Sequence, residues 1–288
     1  MHAQSMASGL IPRLRSETKT RRRLGLISAN LEGRKALVLG GGKGLGFGVA
    51  EALAAKGAEI ILVGRGKETL DAARCAIESA SPVCSTFSAD LSDNDSVSRL
   101  IRAIEDEHQR IDIVLLNGGG PPPFAASVFD ASVWEKQFTS MVLSQMRIAI
   151  SFLPGMRARR WGRIIAVSST SVREPIPGLT ASNALRASLA GWAKTLAGEV
   201  AADGVTVNLL LPGRFATDRT KRFDAMDAAD RGVDAAVIAA ESQAEIPAKR
   251  YGTPAEFGAV AAFLASDDAA YITGVALPVD GGLSRAML

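Results

Sequence analysis

The sequence predicts a single α/β domain in which helices cover both faces of a doubly wound parallel sheet. From residue 34 onward, short apolar runs of strand length alternate with segments of helix length, an order typical of α/β proteins. The apolar runs are continuous, as expected of strands that are buried on both faces. The chain has 288 residues, 47% of them hydrophobic, and no linker or repeat divides it, so we expect one core.

Seven strands and six helices are predicted in alternation. The strands are placed at residues 36–39, 60–63, 83–88, 113–116, 164–167, 205–211 and 275–279. The helices are placed at residues 46–56, 67–80, 92–107, 131–159, 181–202 and 254–265. The segment at about 214–251 is less regular and follows the sixth strand. Ligands of open α/β sheets bind beyond the carboxyl ends of the strands, so we predict that this insertion forms a lid over the ligand crevice.

Composition excludes several classes of function. The cysteines, Cys75 and Cys84, and the histidines, His2 and His108, have no spacing typical of a zinc site, a disulfide framework or a histidine-based triad. No metal is therefore predicted, and a reducing compartment is expected. No apolar run is long enough to span a bilayer, so we predict a cytoplasmic protein without a membrane partner.

The positive charge of the chain is concentrated at its beginning. Residues 1–30 carry six basic residues against Glu17, a net charge of +5; because the whole chain carries +3, residues 31–288 carry −2. This distribution gives no reason to expect a nucleic-acid partner for the folded part. We predict that residues 1–30 are a disordered extension; the alternative is a transit peptide, which would place the protein in an organelle matrix.

A glycine-rich loop follows the first predicted strand and opens the first helix. Gly40, Gly44 and Gly46 have the spacing G-x-x-x-G-x-G. Such glycines permit a tight turn and let a dinucleotide pyrophosphate approach the backbone at the helix N-terminus. The residues of this loop predicted to bind the cofactor are Gly40, Gly42, Lys43, Gly44, Leu45 and Gly46.

The end of the second strand indicates which dinucleotide is bound. NAD sites usually place an acidic residue there, where it binds the ribose 2′-hydroxyl. Here the position is occupied by Arg65, and Lys43 lies in the glycine loop. Both cations are suited to a 2′-phosphate, so the sequence predicts NADP(H) in preference to NAD(H).

Further motifs follow the later strands. In chain order they are Asp90-Leu91, Asn117-Gly118-Gly119, Ser168-Ser169, Val207-Asn208, Pro212-Gly213, Thr217, Tyr271-Ile272-Thr273-Gly274 and Val279-Asp280-Gly281-Gly282. Together with the glycine loop, they resemble the short-chain dehydrogenase/reductase family, and within it the β-ketoacyl carrier-protein reductases, over residues 31–283 of the domain at 31–288. The resemblance implies a Rossmann fold, a small carbonyl or alcohol substrate, and a homodimer or homotetramer.

The same resemblance implies further cofactor contacts. Asp90 would bind the adenine amino group, Asn117 and Gly118 would line the cofactor, and the segment from Pro212 to Thr217 would cover the nicotinamide. The residues so assigned are Asp90, Leu91, Asn117, Gly118, Gly119, Pro212, Gly213 and Thr217.

The resemblance fails at the catalytic tyrosine and lysine. A count without gaps from Asn208 puts Ser182 at the tyrosine position and Arg186 at the lysine position, with Ser169 at the catalytic serine. The same frame puts Met141 at the position of a catalytic asparagine. A rival frame with a shortened loop puts Leu179 and Asn183 at the first two positions. Neither frame contains the tyrosine and lysine, so we assign Ser169, Ser182 and Arg186 as candidate catalytic residues, with Arg186 also as a candidate ribose ligand.

These substitutions leave two hypotheses open. A serine hydroxyl is a far weaker acid than tyrosine, whose ordinary pKa is about 10. The first hypothesis is an NADP(H)-dependent oxidoreductase, similar to 3-oxoacyl reductases, with an altered proton relay. The second is a non-catalytic NADP-binding homologue that acts as a sensor or structural partner. Other candidate groups in the sequence are Tyr251, Tyr271, Arg173 and Glu174.

A basic cluster lies near the start of the predicted lid. It consists of Arg214, Arg219, Lys221 and Arg222. The cluster favours an anionic substrate or carrier if its side chains face the crevice, and is an ordinary solvated surface if they do not.

Overall fold

The computed structural model describes residues 30–78 and 84–286 and contains one sheet of seven parallel strands. The strands are β1 (Lys35–Leu39), β2 (Glu59–Gly64), β3 (Cys84–Ser88), β4 (Ile113–Leu116), β5 (Gly162–Val167), β6 (Val205–Pro212) and β7 (Ala276–Val279). Their order in the sheet is β3-β2-β1-β4-β5-β6-β7. The predicted doubly wound parallel sheet is confirmed.

Nine α-helices connect or flank these strands in the described residues. They are α1 (Gly44–Ala54), α2 (Lys67–Glu78), α3 (Asn94–Glu107), α4 (Ala131–Phe138), α5 (Ser144–Ala158), α6 (Thr180–Val200), α7 (Asp218–Arg231), α8 (Ala235–Glu245) and α9 (Pro254–Ala265). A π turn covers Thr139–Leu143, and short 3₁₀ turns cover Thr170–Val172, Ala201–Asp203 and Asp267–Ala269. The predictions for residues 1–29, 79–80 and 83 lie outside the described residues.

The core is split into two layers by the sheet. Successive residues of a strand face opposite sides, so Val114 and Leu116 belong to one apolar cluster while Ile113 and Leu115 belong to the other. The first cluster fills the space between the sheet and α3, α5 and α6. The second lies under α1, α2 and α9. Burial on both faces explains why the strands appear in the sequence as continuous apolar runs.

The strand order reverses beside β1, and this reversal creates the crevice. The chain passes from β1 outward to β2 and β3, then returns to pair β4 with the other side of β1. The connections after β1 and β4 therefore lie on opposite faces of the sheet, and a crevice opens at the carboxyl ends of these two strands.

The helix predicted over 131–159 is divided by the π turn at Thr139–Leu143. Two residues of this turn, Met141 and Val142, are buried against Ala181 and Leu185 of α6. A π turn contains one residue more than a turn of α-helix, and the sequence gives no sign of this extra residue. The apolar spacing alone therefore did not predict the division into α4 and α5.

The insertion at 214–251 contains α7 and α8, which the sequence analysis did not predict. The Thr217 hydroxyl caps α7, Gly232 ends it with a φ of 65°, and the Asp234 carboxylate caps α8. These are ordinary start and stop signals, but neither helix has a pronounced apolar face. The caps were therefore the only signal of these helices in the sequence.

The two ends of the insertion lie side by side. The backbone N–H of Ala216 donates to the carbonyl of Gly252 at 2.8 Å, and the N–H of Gly252 donates to the carbonyl of Arg214 at 3.0 Å. An isolated bridge between Phe215 and Gly252 results. The chain thus leaves β6 and, after the insertion, enters α9 from nearly the same place.

Membrane-spanning and metal-binding features were sought in the described part of the chain. No helix there combines the length and apolar character needed to cross a membrane. No group of three or more His, Cys, Asp or Glu side chains among the same residues is arranged to hold a metal ion.

Helices α1 and α9 pack with their backbones in contact. A Cβ atom on Gly258 of α9 would lie 2.1 Å from the carbonyl oxygen of Gly48 in α1, and one on Gly48 would lie 2.4 Å from the carbonyl of Pro254. Neither neighbour is a flexible side chain that can turn aside. Glycine is therefore required at both positions for the second core layer to close.

We predict that Gly258→Ala lowers the free energy of unfolding by about 1–3 kcal/mol, because the added methyl group forces the two helices apart. Chemical denaturation measures this change. Gly198→Ala in α6 is the matched control: nothing lies within 4 Å of its Cβ position, and alanine is up to about 1 kcal/mol better than glycine inside a helix. Equal effects of the two substitutions would contradict the prediction.

Candidate active site

The glycine loop forms a cradle at the carboxyl end of β1. Gly40 and Gly44 have φ angles of 63° and 58°, a left-handed region that side chains other than glycine rarely adopt. A Cβ atom on Gly46 would lie 2.2 Å from the carbonyl oxygen of Gly40. The motif is therefore required by geometry at all three positions, as the sequence predicted.

The start of α1 is open toward this cradle. Lys43 occupies the N-cap position, is exposed, and makes no side-chain cap hydrogen bond. The first backbone N–H groups of the helix thus lack a side-chain acceptor, while the helix dipole favours an anion at the same place. The arrangement is suited to a phosphate group. Gly42 and Leu45 are half-buried within the same loop.

Asn117 joins β4 to the glycine loop. Its Nδ2 atom donates to the carbonyl of Leu39, the last residue of β1, at 3.1 Å. It also lies 2.7 Å from the position that a Cβ on Gly40 would take. Gly118 and Gly119 follow it, and a Cβ on Gly119 would meet nothing within 4 Å, so this stretch borders open space.

Asp90 lies at the end of β3 with its carboxylate held in a local turn. Oδ1 accepts hydrogen bonds from the backbone N–H of Ser92 at 2.9 Å and from its hydroxyl at 2.8 Å. The backbone hydrogen bond is the main cause that lowers the pKa of Asp90, and the positive charge of Arg65 adds to it. Leu91 next to it is half-buried, and its carbonyl accepts from Ser144 at 2.7 Å.

Two cations flank the outer part of the crevice. Lys43 and Arg65 are both exposed. Neither takes part in an ion pair with a residue that the structure describes. Their charges are therefore free for a bound anion.

The segment after β6 reaches back to the glycine loop. Pro212 ends the strand, and the N–H of Gly213 donates to the carbonyl of Val279 at 3.0 Å. The methyl group of Thr217 lies 3.7 Å from the Cβ position of Gly44. The stretch that the resemblance assigned to the nicotinamide thus borders the crevice opposite β1.

Ser182 and Arg186 meet at the end of β5. They lie one turn apart on α6, and Nε of Arg186 donates to the Ser182 hydroxyl oxygen at 3.2 Å. Nη1 donates to the carbonyls of Val167 at 3.1 Å and Ser168 at 2.7 Å. The adjacent Ser169 hydroxyl accepts from the N–H of Ser171 at 3.0 Å.

The rival pair occupies different surroundings. Leu179 precedes α6 at its N-cap, and Nδ2 of Asn183 donates to the carbonyl of Ile176 at 2.9 Å. Asn183 is thus bonded to the preceding loop rather than to the end of β5. The frame that names Ser182 and Arg186 is the one that brings its residues to the strand carrying Ser169.

Arg186 is a half-buried cation with a perturbed pKa. Burial lowers its pKa to about 10, and the positive charge of Arg219 contributes in the same direction. The group stays charged at neutral pH. It therefore places a fixed positive charge beside the Ser182 hydroxyl.

The position of the family asparagine is apolar in this chain. Met141 is 4% exposed and packs with Val142, Ala181 and Leu185. One turn further along, Gln145 is buried, and its Oε1 has no hydrogen-bond partner among the described residues. Sequence reasoning missed Gln145, although its spacing of four residues from Met141 could have indicated it.

The other candidates from the sequence are placed elsewhere. Tyr251 donates its hydroxyl to Asp224 within the insertion at 2.9 Å, and Tyr271 is fully exposed. Arg173 donates to the carbonyl of Ala276 at 2.7 Å, and Glu174 is exposed. None of these contacts involves Ser169.

The doubly wound sheet and the glycine cradle at its crevice define an α/β protein of the Rossmann-like class. A family model described as enoyl-(acyl carrier protein) reductase matches residues 40–284. The chain belongs to the short-chain dehydrogenase/reductase family, so the resemblance inferred from its motifs is confirmed.

Relatives and solved structures extend this assignment. The 3-oxoacyl-[acyl-carrier-protein] reductase FabG of Vibrio cholerae is 34% identical over 88% of this chain and 98% of its own. L-sorbose reductase of Gluconobacter frateurii, solved with NADPH and L-sorbose, is 28% identical over 91% of this chain and 100% of its own, with a TM-score of 0.86. YwfH, an NADPH-dependent reductase involved in bacilysin biosynthesis, is 26% identical over 88% of this chain and 99% of its own, with a TM-score of 0.84.

We predict that Asn117→Ala lowers the free energy of unfolding by about 1–3 kcal/mol, because the Leu39 carbonyl loses its donor in a buried position. Chemical denaturation measures the loss. Asn117→Asp is the sharper variant, since it sets a carboxylate against the same carbonyl oxygen, and we expect a larger loss. A carboxylate variant as stable as the wild type would contradict the assigned contact.

Proposed function

We propose that this protein is an NADP(H)-dependent oxidoreductase that transfers hydride to or from a carbonyl or alcohol substrate. The proposal is carried by the glycine cradle, in which Gly40, Gly44 and Gly46 occupy positions that other residues cannot adopt without strain or collision. A cluster of hydroxyl groups lies at the end of β5. When bound, the dinucleotide supplies or accepts the hydride at its nicotinamide ring. The cradle and the open start of α1 would hold its pyrophosphate.

Two further observations support NADP(H) over NAD(H). Arg65 occupies the place where NAD sites usually carry an acid, and Lys43 is an exposed cation at the N-cap of α1. Both cations lack an ion-pair partner among the described residues, and both are suited to a 2′-phosphate. NADPH is also named with the solved L-sorbose reductase and YwfH.

The remaining cofactor contacts follow from the placement of the residues. Asp90 and Leu91 would border the adenine, because they end β3 on the side of Arg65. Asn117, Gly118 and Gly119 would line the middle of the dinucleotide. Pro212, Gly213 and Thr217 would cover the nicotinamide end, since this segment touches the glycine loop from the opposite side.

The proposed proton relay uses Ser182 in place of tyrosine. Its oxygen accepts a hydrogen bond from Nε of Arg186, so its own proton is free to be donated to a substrate oxygen. Ser182 would donate its proton to the substrate oxygen as negative charge develops there, and water would return a proton to the hydroxyl. The fixed charge of Arg186 stabilises the negative charge that develops. Ser169 would orient the same oxygen.

A slower reaction is expected from this relay. Proton transfer by a well-matched acid is commonly worth a factor of about 10² to 10⁴, and serine is a poor match at neutral pH. The substrate therefore needs a carbonyl that accepts hydride readily.

The second candidate function is a non-catalytic NADP-binding protein that acts as a sensor or structural partner. It is favoured by the bonds that tie Arg186 to backbone carbonyls and by the apolar cluster around Met141. Both features are those of packing rather than catalysis. The experiments below separate the two functions.

A homodimer or homotetramer is part of the proposal. Leu143, at the end of the π turn, and Ile150 of α5 lie seven residues apart and are 45% and 44% exposed. This spacing puts them on one helical face. The apolar stripe is suited to a second copy of the chain.

We predict that Lys43→Ala and Arg65→Ala each weaken NADPH binding by about tenfold while leaving NADH binding nearly unchanged, because each removes a charged partner of the 2′-phosphate. Calorimetry on the purified protein measures both constants. Lys56→Ala is the control, since Lys56 is an exposed cation just beyond the far end of α1. Failure of the wild type to bind either nucleotide would overturn the proposed function.

We predict that Ser182→Ala lowers kcat at least tenfold without weakening NADPH binding, because it removes the proton donor and leaves the cradle intact. NADPH oxidation with a panel of small carbonyl compounds measures it. Replacing Ser182 by Tyr together with Arg186 by Lys should raise the rate. A wild type that binds NADPH and turns over no compound, while the double variant does, would favour the non-catalytic function.

A further inference from the structure

Two arginines border the substrate end of the crevice without a carboxylate partner. Neither Arg186 nor Arg219 takes part in an ion pair within residues 30–78 and 84–286. Arg219 belongs to α7, yet its guanidinium reaches the loop after β4, where Nη2 lies 2.8 Å from the position a Cβ on Gly120 would take. Its guanidinium carbon also lies 5.1 Å from the centroid of the Phe223 ring.

The two charges act on each other in a partly desolvated place. Burial lowers the pKa of both groups, and the charge of Arg219 adds to the effect on Arg186. Arg219 also lies in the first turn of α7, where the helix dipole disfavours a cation. Each of these features costs stability, and no carboxylate among the described residues neutralises either charge. An anion bound between the two guanidinium groups would remove this cost.

The other members of the basic cluster either have partners or are exposed. Arg214 donates to Ser242 at 2.8 Å and pairs with Asp224 at 3.6 Å. Lys221 and Arg222 are exposed. Of the basic cluster predicted from the sequence, Arg219 is thus the member directed at the loop after β4.

The position of the pair separates it from the phosphate cradle. Gly120 follows β4, and Arg186 is bonded to the last residue of β5. These two strands are neighbours in the sheet, and Ser169 and Ser182 lie at the same end. The glycine cradle instead lies at the start of α1.

We propose that the substrate is an oxo acid, whose carboxylate is bound between Arg186 and Arg219 while its carbonyl meets Ser169 and Ser182. Arg219 has no hydrogen bond to a described residue, so its planar fork can hold a carboxylate by two parallel bonds. Nη2 of Arg186 forms none with these residues either and can add a third. This assignment rests on the proposed function, since it concerns the substrate of the same site.

The test compares acids with their esters on the protein saturated with NADP⁺, where no hydride is available to react. Pyruvate, 3-oxobutanoate and 4-oxopentanoate, each with its methyl ester, are titrated by calorimetry. At least one acid should bind tenfold or more tightly than its ester, as expected of charged hydrogen bonds. Arg219→Met should abolish this preference, and Arg219→Lys should restore part of it. Lys221→Met, an equal change of charge at an exposed position of α7, should leave the preference unchanged.

Two results would overturn the proposal. The first is an absence of any acid that binds more tightly than its ester. The second is a loss of NADP⁺ affinity in Arg219→Met, which would assign the arginine to a cofactor phosphate. If the wild type binds no dinucleotide at all, the proposed function fails first, and the oxo-acid assignment fails with it.

Discussion

The crevice of this protein depends on the close approach of three backbone segments around Gly40. The carbonyl of this residue leaves no room for a side chain at position 46, and Asn117 closes the third side through its bond to Leu39. Because these contacts are made by backbone and one amide, the N–H groups at the start of α1 remain at the crevice surface. The strand register then carries the loops after β4 and β5 to the same edge. The groups assigned to the site lie on the loops that follow these strands.

Arg186 organises the part of the site that lies at the end of β5. A lysine at this position would present one flexible ammonium group, whereas the arginine fork binds a hydroxyl and two carbonyls at once. The end of β5 is thereby fixed to α6, the helix that also carries Ser182. The same residue also carries charge toward Arg219. Structural anchoring and electrostatics are thus combined in one side chain.

Much of the fold could be predicted from the sequence because the strands are buried on both faces and the glycine motif follows β1. The helices of the insertion could not, since α7 and α8 lack a pronounced apolar face and are defined by Thr217, Gly232 and Asp234. The π turn was missed because packing against α6 decides it. In the site, spacing predicted Ser182 and Arg186. Arg219 was named only as one of four cations near the lid, and Gln145 was missed, because their positions depend on contacts between elements distant in the chain.

The side-by-side ends of the insertion have a consequence for how the protein can change. Since Ala216 and Gly252 are hydrogen-bonded to each other, the chain enters α9 close to the point where it left β6. Closing such a loop costs conformational entropy that grows only slowly with the number of residues between its ends. Helices α7 and α8 can therefore be lengthened, shortened or exchanged without altering the register of β6 and β7.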